Sequence, residues 1–119
     1  MTAGIRFREV VIDCADPRAL ALFWAAATGY EVDSDLEDWA SVVGEGDRDI
    51  RIGFQKVPEG KVVKNRVHVD LAAADEEAEA RRIEALGATR LWVSDDADDP
   101  FVVLADPEGN EFCVVRTPG

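Results

Sequence analysis

The chain holds one histidine, His68, in a run where apolar and polar residues alternate: Val67, His68, Val69, Asp70, Leu71. Successive side chains of a strand point to opposite faces, so Val67, Val69 and Leu71 suit a face packed on a helix. His68, Asp70 and Ala72 then lie on the other face. The same reading packs Val10, Ile12 and Cys14 and leaves Glu9, Val11 and Asp13 facing away. In the final run Phe112 and Val114 pack, and Glu111, Cys113 and Val115 face away. If the two halves of the chain curl together, Glu9, Asp13, His68, Asp70 and Glu111 share one concave surface. An imidazole among carboxylates can hold a cation or move a proton. The competing reading is a face that is simply wet, as one side of an antiparallel sheet often is. Both halves place their polar residues on the same side, which favours a cleft. Glu9 is the sharpest oddity, because a carboxylate on a buried strand costs free energy unless it is paired or ligating. Arg51 and Arg66 are its candidate ionic partners.

The elements that position these residues repeat. Glu9 and Asp16 stand seven apart, as do His68 and Asp75, and the two pairs lie about 59 positions apart. Each Asp precedes a helix-like stretch, ending at Gly29 in the first half and Gly87 in the second. Asp16-Pro17 is a helix start: a carboxylate to cap free N–H groups, then proline at the first helical position. Leu20, Phe23, Trp24 and Ala27 make one apolar stripe, and Ala80, Ile83 and Leu86 make the other. Strands are expected at Arg6–Cys14, Tyr30–Asp33, Trp39–Val43 and Ile50–Val57, then at Val67–Ala72, Thr89–Val93, Phe101–Ala105 and Glu111–Arg116. Asp106-Pro107-Glu108-Gly109-Asn110 is a turn by composition, and the acidic run Asp95–Asp99 is a solvated loop. Pro58–Asn65 lacks apolar periodicity and joins the halves. The fold class expected is therefore α+β: two tandem βαβββ modules, about 5–57 and 66–117, forming an open, incomplete barrel around a cleft. Together they make one domain over residues 1–119.

A chain of 119 residues that is 47% hydrophobic has an ordinary core despite a net charge of −12. The acidic surface argues against nucleic acid, whose phosphates reward Lys and Arg. It permits metal ions or cationic small molecules, although solubility alone explains the overall charge. No apolar run approaches the ~20 residues of a membrane span, and the N-terminus lacks signal-peptide character. A soluble cytoplasmic protein is expected. Cys14 and Cys113 fall on opposite strand faces and lack metal-type spacing, so they are expected as free thiols.

These pieces in order resemble the vicinal oxygen chelate superfamily, which includes glyoxalase I, bleomycin-resistance proteins and extradiol dioxygenases. The resemblance rests on Asp16-Pro17 leading to Phe23 and Gly29, on Asn65-Arg66-Val67-His68-Val69-Asp70, on Glu84-Ala85-Leu86-Gly87-Ala88, and on Asp106 through Phe112. It is closest in kind to the glyoxalase-like domain branch. It implies metal ligands at the start of the first strand and the end of the last strand of each half. Those places correspond to Glu9, Gly53, His68 and Glu111. Glycine offers no ligand, so Gln55 or water would have to substitute. The implied set is His68, Glu9 and Glu111 around Mn, Fe, Ni or Zn, with Glu9 or Glu111 moving a proton. Such a metal would bind two neighbouring substrate oxygens and stabilise an enolate or oxyanion. Asp13, Asp70 and Gln55 are expected ligand contacts, and Trp39 and Trp92 could line the pocket mouth. Three function classes stay open: a metal-assisted lyase, isomerase or dioxygenase of small oxygenated metabolites; a metal-free binding protein of the bleomycin-resistance type, its acidic cleft holding a cationic compound; and a domain without small-molecule chemistry that serves as a homodimer partner.

Overall fold

The computed structural model describes residues 4–5, 7–46 and 49–117. The first module runs β1 (Glu9–Cys14), α1 (Pro17–Thr28), β2 (Glu31–Asp35), β3 (Trp39–Val43) and β4 (Arg51–Lys56). The second runs β5 (Asp70–Ala73), α2 (Glu76–Ala85), β6 (Thr89–Val93), β7 (Phe101–Ala105) and β8 (Glu111–Arg116). Each forms a four-stranded sheet, in the orders β1-β4-β3-β2 and β5-β8-β7-β6. In each, the first strand pairs parallel with the last and the other pairings are antiparallel. Even the irregularities match: β2 shifts register on β3 between Val32 and Ser34, and β6 shifts on β7 between Arg90 and Trp92. The two sheets do not pair with one another among the described residues, so the barrel stays open.

Both helices start as their sequences dictate. The side chains of Asp16 and Asp75 accept from the N–H groups of Ala19 and Ala78, and Gly29 ends α1 at φ 79 in the left-handed region. In α2 the inward stripe is Glu76, Ala80 and Ile83, not Ala80, Ile83 and Leu86. Leu86 is the C-cap, where the chain turns away, and it is exposed. Glu76 takes the buried place a turn earlier because Arg116 on β8 neutralises it. A second departure concerns the strand expected from Val67. Regular pairing begins only at Asp70, and Val67 is exposed, because Asn65 Nδ2 holds the Val67 carbonyl at 2.6 Å in a local turn. Arg6, expected in the first strand, lies outside the described residues.

One continuous core joins the modules through α1. Leu20, Phe23 and Trp24 pack with Ile52 and Phe54 of the first sheet and with Val102, Leu104, Phe112 and Val114 of the second. The Trp24 and Phe112 rings stand 4.9 Å apart. The second module also grips both ends of α1. Glu108 accepts the Ala15 and Asp16 N–H groups at 2.7 and 2.9 Å, at the positive end of the helix dipole. Arg82 donates to the Ala26 and Ala27 carbonyls at 2.9 and 2.7 Å, at the negative end. Trp24 Nε1 donates to buried Asp106, which also accepts from the Glu108 and Asn110 N–H groups and so shapes its own turn.

Candidate functional site

With α1 and α2 covering one face of each sheet, the other faces carry the residues singled out from sequence, and the two faces differ. On the first module Glu9 accepts from Arg51 Nε at 3.2 Å. The Arg51 guanidinium also reaches Asp33 and donates to Ser41 Oγ at 3.1 Å. Of the two arginines considered for Glu9, Arg51 is therefore the partner. Asp33 can join because it is the extra residue at the register shift of β2. Beside this network the Trp39 indole lies directly on Gly53, in the space a Cβ would take. Gln55, the register partner of Trp39 on β4, is exposed. The β3–β4 part of this face is filled by its own side chains.

On the second module the counterparts are apolar or open. Phe101, Val103 and Val115 stand where the first module has Trp39, Ser41 and Gln55. With Trp92, whose ring packs edge-on against Phe101 at 5.3 Å, they line a cavity of about 360 Å³. Its rim carries Lys64, His68, Asp70, Asp99 and Glu111. A larger cavity of about 690 Å³ lies between β1 and the 57–69 segment, and Asp13 is among its lining residues. Lys64, His68 and Glu111 border both cavities, so they sit where the two adjoin. Glu9, Gln55 and Trp39 line neither.

Glu111 is held by the inter-module segment. Lys61 Nζ donates to its carboxylate at 3.1 Å and the Asn65 N–H at 3.3 Å. The Asn65 side chain returns the contact, accepting the Glu111 N–H at 2.9 Å and donating to its carbonyl at 3.2 Å. Partial burial pushes the Glu111 carboxyl up, but the hydrogen bonds from backbone and Lys61 outweigh this and hold it below the ordinary range. Pro58–Asn65, expected only to join the halves, therefore also clamps the cleft carboxylate. Nothing in the spacing of Lys61 and Asn65 signals it.

The register also corrects the assignment of the fourth family position. Val11 pairs with Gly53 and Asp70 with Cys113, so Gly53 is the counterpart of Cys113, and Arg51 is the counterpart of Glu111. The slip of two positions arises because the β2–β3 turn is four residues shorter than the β6–β7 turn while the β3–β4 turn is two residues longer than the β7–β8 turn, a difference alternation cannot detect. Moreover, Glu111 opens β8 rather than ending it. Parallel pairing puts the starts of the first and last strands at the same end, which is how His68 and Glu111 come together. The four family positions thus hold Glu9, Arg51, His68 and Glu111. A guanidinium bound to one carboxylate, and an ammonium bound to the other, do not make a metal site within one chain. The residues present do not fit a metal at those four positions.

Cys14 is buried in the core, where burial first and then the nearby acids Glu108, Asp13, Asp16 and Asp106 push its thiol up to about 11. Cys113 lies on the open face, its thiol also raised, by burial and by Asp70. Both are free thiols on opposite faces, as alternation requires.

With this geometry, comparison with known proteins is direct. The family model described as a glyoxalase-like domain matches residues 9–115, so the chain belongs to the glyoxalase-like domain family, within the vicinal oxygen chelate superfamily. A glyoxalase/bleomycin resistance protein/dioxygenase family enzyme from Burkholderia phytofirmans PsJN is similar at TM-score 0.74 and 19% identity, covering 93% of this chain and 98% of its own. The fosfomycin resistance protein FosX from Listeria monocytogenes is similar at TM-score 0.76 and 14% identity, covering 99% and 96%. An E126Q mutant of that FosX, complexed with Mn(II) and 1S,2S-dihydroxypropylphosphonic acid, is similar at TM-score 0.75 and 13% identity, covering 97% and 90%. At these identities the likeness is one of fold. No curated protein matches by sequence. Among the described residues, no helix is long and apolar enough to cross a membrane.

Proposed function

We propose that this protein binds a small oxygenated organic molecule in the cleft bordered by His68 and Glu111. Its apolar part would lie on Trp92, Phe101, Val103 and Val115, and its oxygens would face His68 and Asp70. The observation that carries this reading is the contrast between the modules. The same strand positions are closed by Trp39 on Gly53 and by the Glu9–Arg51 pair in the first module, and line an open cavity in the second. An apolar floor with a few converging polar groups is the usual form of a ligand site. The FosX mutant complexed with Mn(II) and a dihydroxypropylphosphonic acid supports an oxygen-rich ligand in this fold. A lyase, isomerase or dioxygenase working through Glu9 and Glu111 on a metal at the four family positions is disfavoured, because Arg51 and Lys61 already neutralise those carboxylates.

A second reading, sequestration of a cationic compound, is favoured by Asp70 and Asp99 at the rim of an aromatic cavity. Tryptophan fluorescence separates the two, since of the three indoles Trp92 lines that cavity, Trp24 is buried and Trp39 lies on Gly53. A panel of α-hydroxy acids, α-keto acids and catechols is titrated beside a panel of aromatic and quaternary amines. A saturable change with the first panel, lost in Trp92→Phe, supports the main reading; a change with the second alone supports sequestration. Folded protein that responds to neither, in fluorescence or melting temperature, removes both. A second copy of the chain is the proposed partner for the exposed Val11, Val32, Leu91 and Val93. Light scattering that gives a monomer at all concentrations removes the homodimer.

A further inference from the structure

We propose that His68, Asp70 and Cys113 form a site for a divalent zinc-type cation, sharing His68 with the four family positions and taking its other two ligands one rung further along β5 and β8. One ligand atom from each residue lies within 4.8 Å of the other two. The secondary structure explains the convergence. Asp70 and Cys113 are register partners on parallel strands, and His68 precedes Asp70 by two residues, placing all three on the open face. His68 Nε2 and Asp70 Oδ1 are already 3.1 Å apart.

The donors are an imidazole nitrogen, a carboxylate oxygen and a thiolate sulfur, each a habitual zinc ligand at about 2.0–2.3 Å. Tetrahedral bonds of that length put donor atoms roughly 3.3–3.8 Å apart, so binding requires a small inward rotation of half-exposed side chains and no backbone movement. Three protein ligands would leave a fourth position for water or a substrate oxygen, and the three residues themselves line the cavity of Trp92 and Phe101. That is the arrangement of a zinc centre open to a ligand rather than of a closed structural one.

The first module serves as an internal control. The counterparts of Asp70 and Cys113 are Val11 and Gly53, neither of which can ligate. The fold does not need polar groups at these two positions, so Asp70 and Cys113 answer to something other than folding, whereas the counterpart of His68 is Glu9, held by Arg51. Glu111, by contrast, is engaged by Lys61 and Asn65 and is not required. This site does not depend on the organic ligand proposed above.

The test is titration of the full-length apo chain with Co(II), followed by displacement with Zn(II). Expected are one equivalent bound, a thiolate-to-cobalt charge-transfer band in the near ultraviolet, and loss of both with Zn(II). Cys113→Ser should abolish the band, and His68→Ala and Asp70→Asn should each weaken binding at least tenfold. Glu111→Gln, Glu9→Gln and Cys14→Ala should leave the band and stoichiometry unchanged. Circular dichroism confirms that each variant is folded. As a second readout, Zn(II) should protect Cys113 from a thiol reagent in the wild type. Absence of binding, cobalt bound without the thiolate band, or a band that survives Cys113→Ser would overturn the proposal. If the band forms but neither organic panel alters Trp92 fluorescence, the metal site stands and the small-molecule reading falls.

Discussion

Asp106 joins the modules through a single carboxylate, and its removal tests that reading. It is 3% exposed and accepts from Trp24 Nε1 at 3.0 Å, from the Glu108 and Asn110 N–H groups at 2.9 Å each, and from Asn110 Nδ2. In Asp106→Ala the indole N–H, at a residue only 1% exposed, has no replacement partner. An orphaned buried donor costs about 1–3 kcal/mol. The two backbone groups lie in a half-exposed turn and regain water, so together they add about 1 kcal/mol. The expected loss is about 3 kcal/mol, a large part of the roughly 5–15 kcal/mol of a typical domain. With a urea slope of about 1.5 kcal/mol/M, the midpoint falls by about 2 M. Trp24→Phe also removes core volume, so a double-mutant cycle is needed to isolate the hydrogen bond. The coupling between Asp106→Ala and Trp24→Phe should be about 1–2 kcal/mol. Additivity within about 0.5 kcal/mol, or a loss from Asp106→Ala below about 1 kcal/mol, would refute the reasoning.

Gly53→Ala should destabilise by about 1–3 kcal/mol and shift Trp39 emission to the red, because the added methyl displaces the indole resting on that glycine; an unchanged melt would show that Trp39 moves freely. In native protein at pH 8 a thiol reagent should label Cys113 slowly and leave Cys14 untouched, with both labelled in denaturant; an intramolecular loss of two hydrogens in the unreduced mass would contradict the free-thiol assignment. Acid should weaken the fold in part through Glu111, whose folded pKa lies below the ordinary 4.5. A depressed carboxyl contributes stability above its unfolded pKa and loses it as pH falls through the folded value. Glu111→Gln should therefore make the fall in stability below pH 4.5 shallower, measured by urea titration at several pH values; an identical acid limb would show that the Lys61 and Asn65 contacts contribute nothing.

Much of this protein was legible from residue order alone. Local rules suffice for a cap and its helix, for strand alternation and for a turn. Hence Asp16 and Asp75 marked both helix starts, six strands fell where expected or within two residues, and Cys14 and Cys113 were separated onto opposite faces. The repeat of Glu9–Asp16 in His68–Asp75 was enough to expect two βαβββ modules, because each module obeys those same local rules. What required the tertiary structure was register and partnership. Whether Gly53 or Arg51 stands opposite Glu111 depends on how β4 pairs with β1, a contact across about 42 residues that no local signal encodes. That Arg51 closes one face follows from that pairing, that Cys113 meets His68 and Asp70 follows from the pairing of β5 with β8, and that Lys61 and Asn65 clamp Glu111 follows from where the inter-module segment packs. An ion pair, a buried carboxylate at Asp106 and a convergent ligand triad are each decided by which distant atoms come within a few ångströms, and that is set by the packed core rather than by neighbours in the chain.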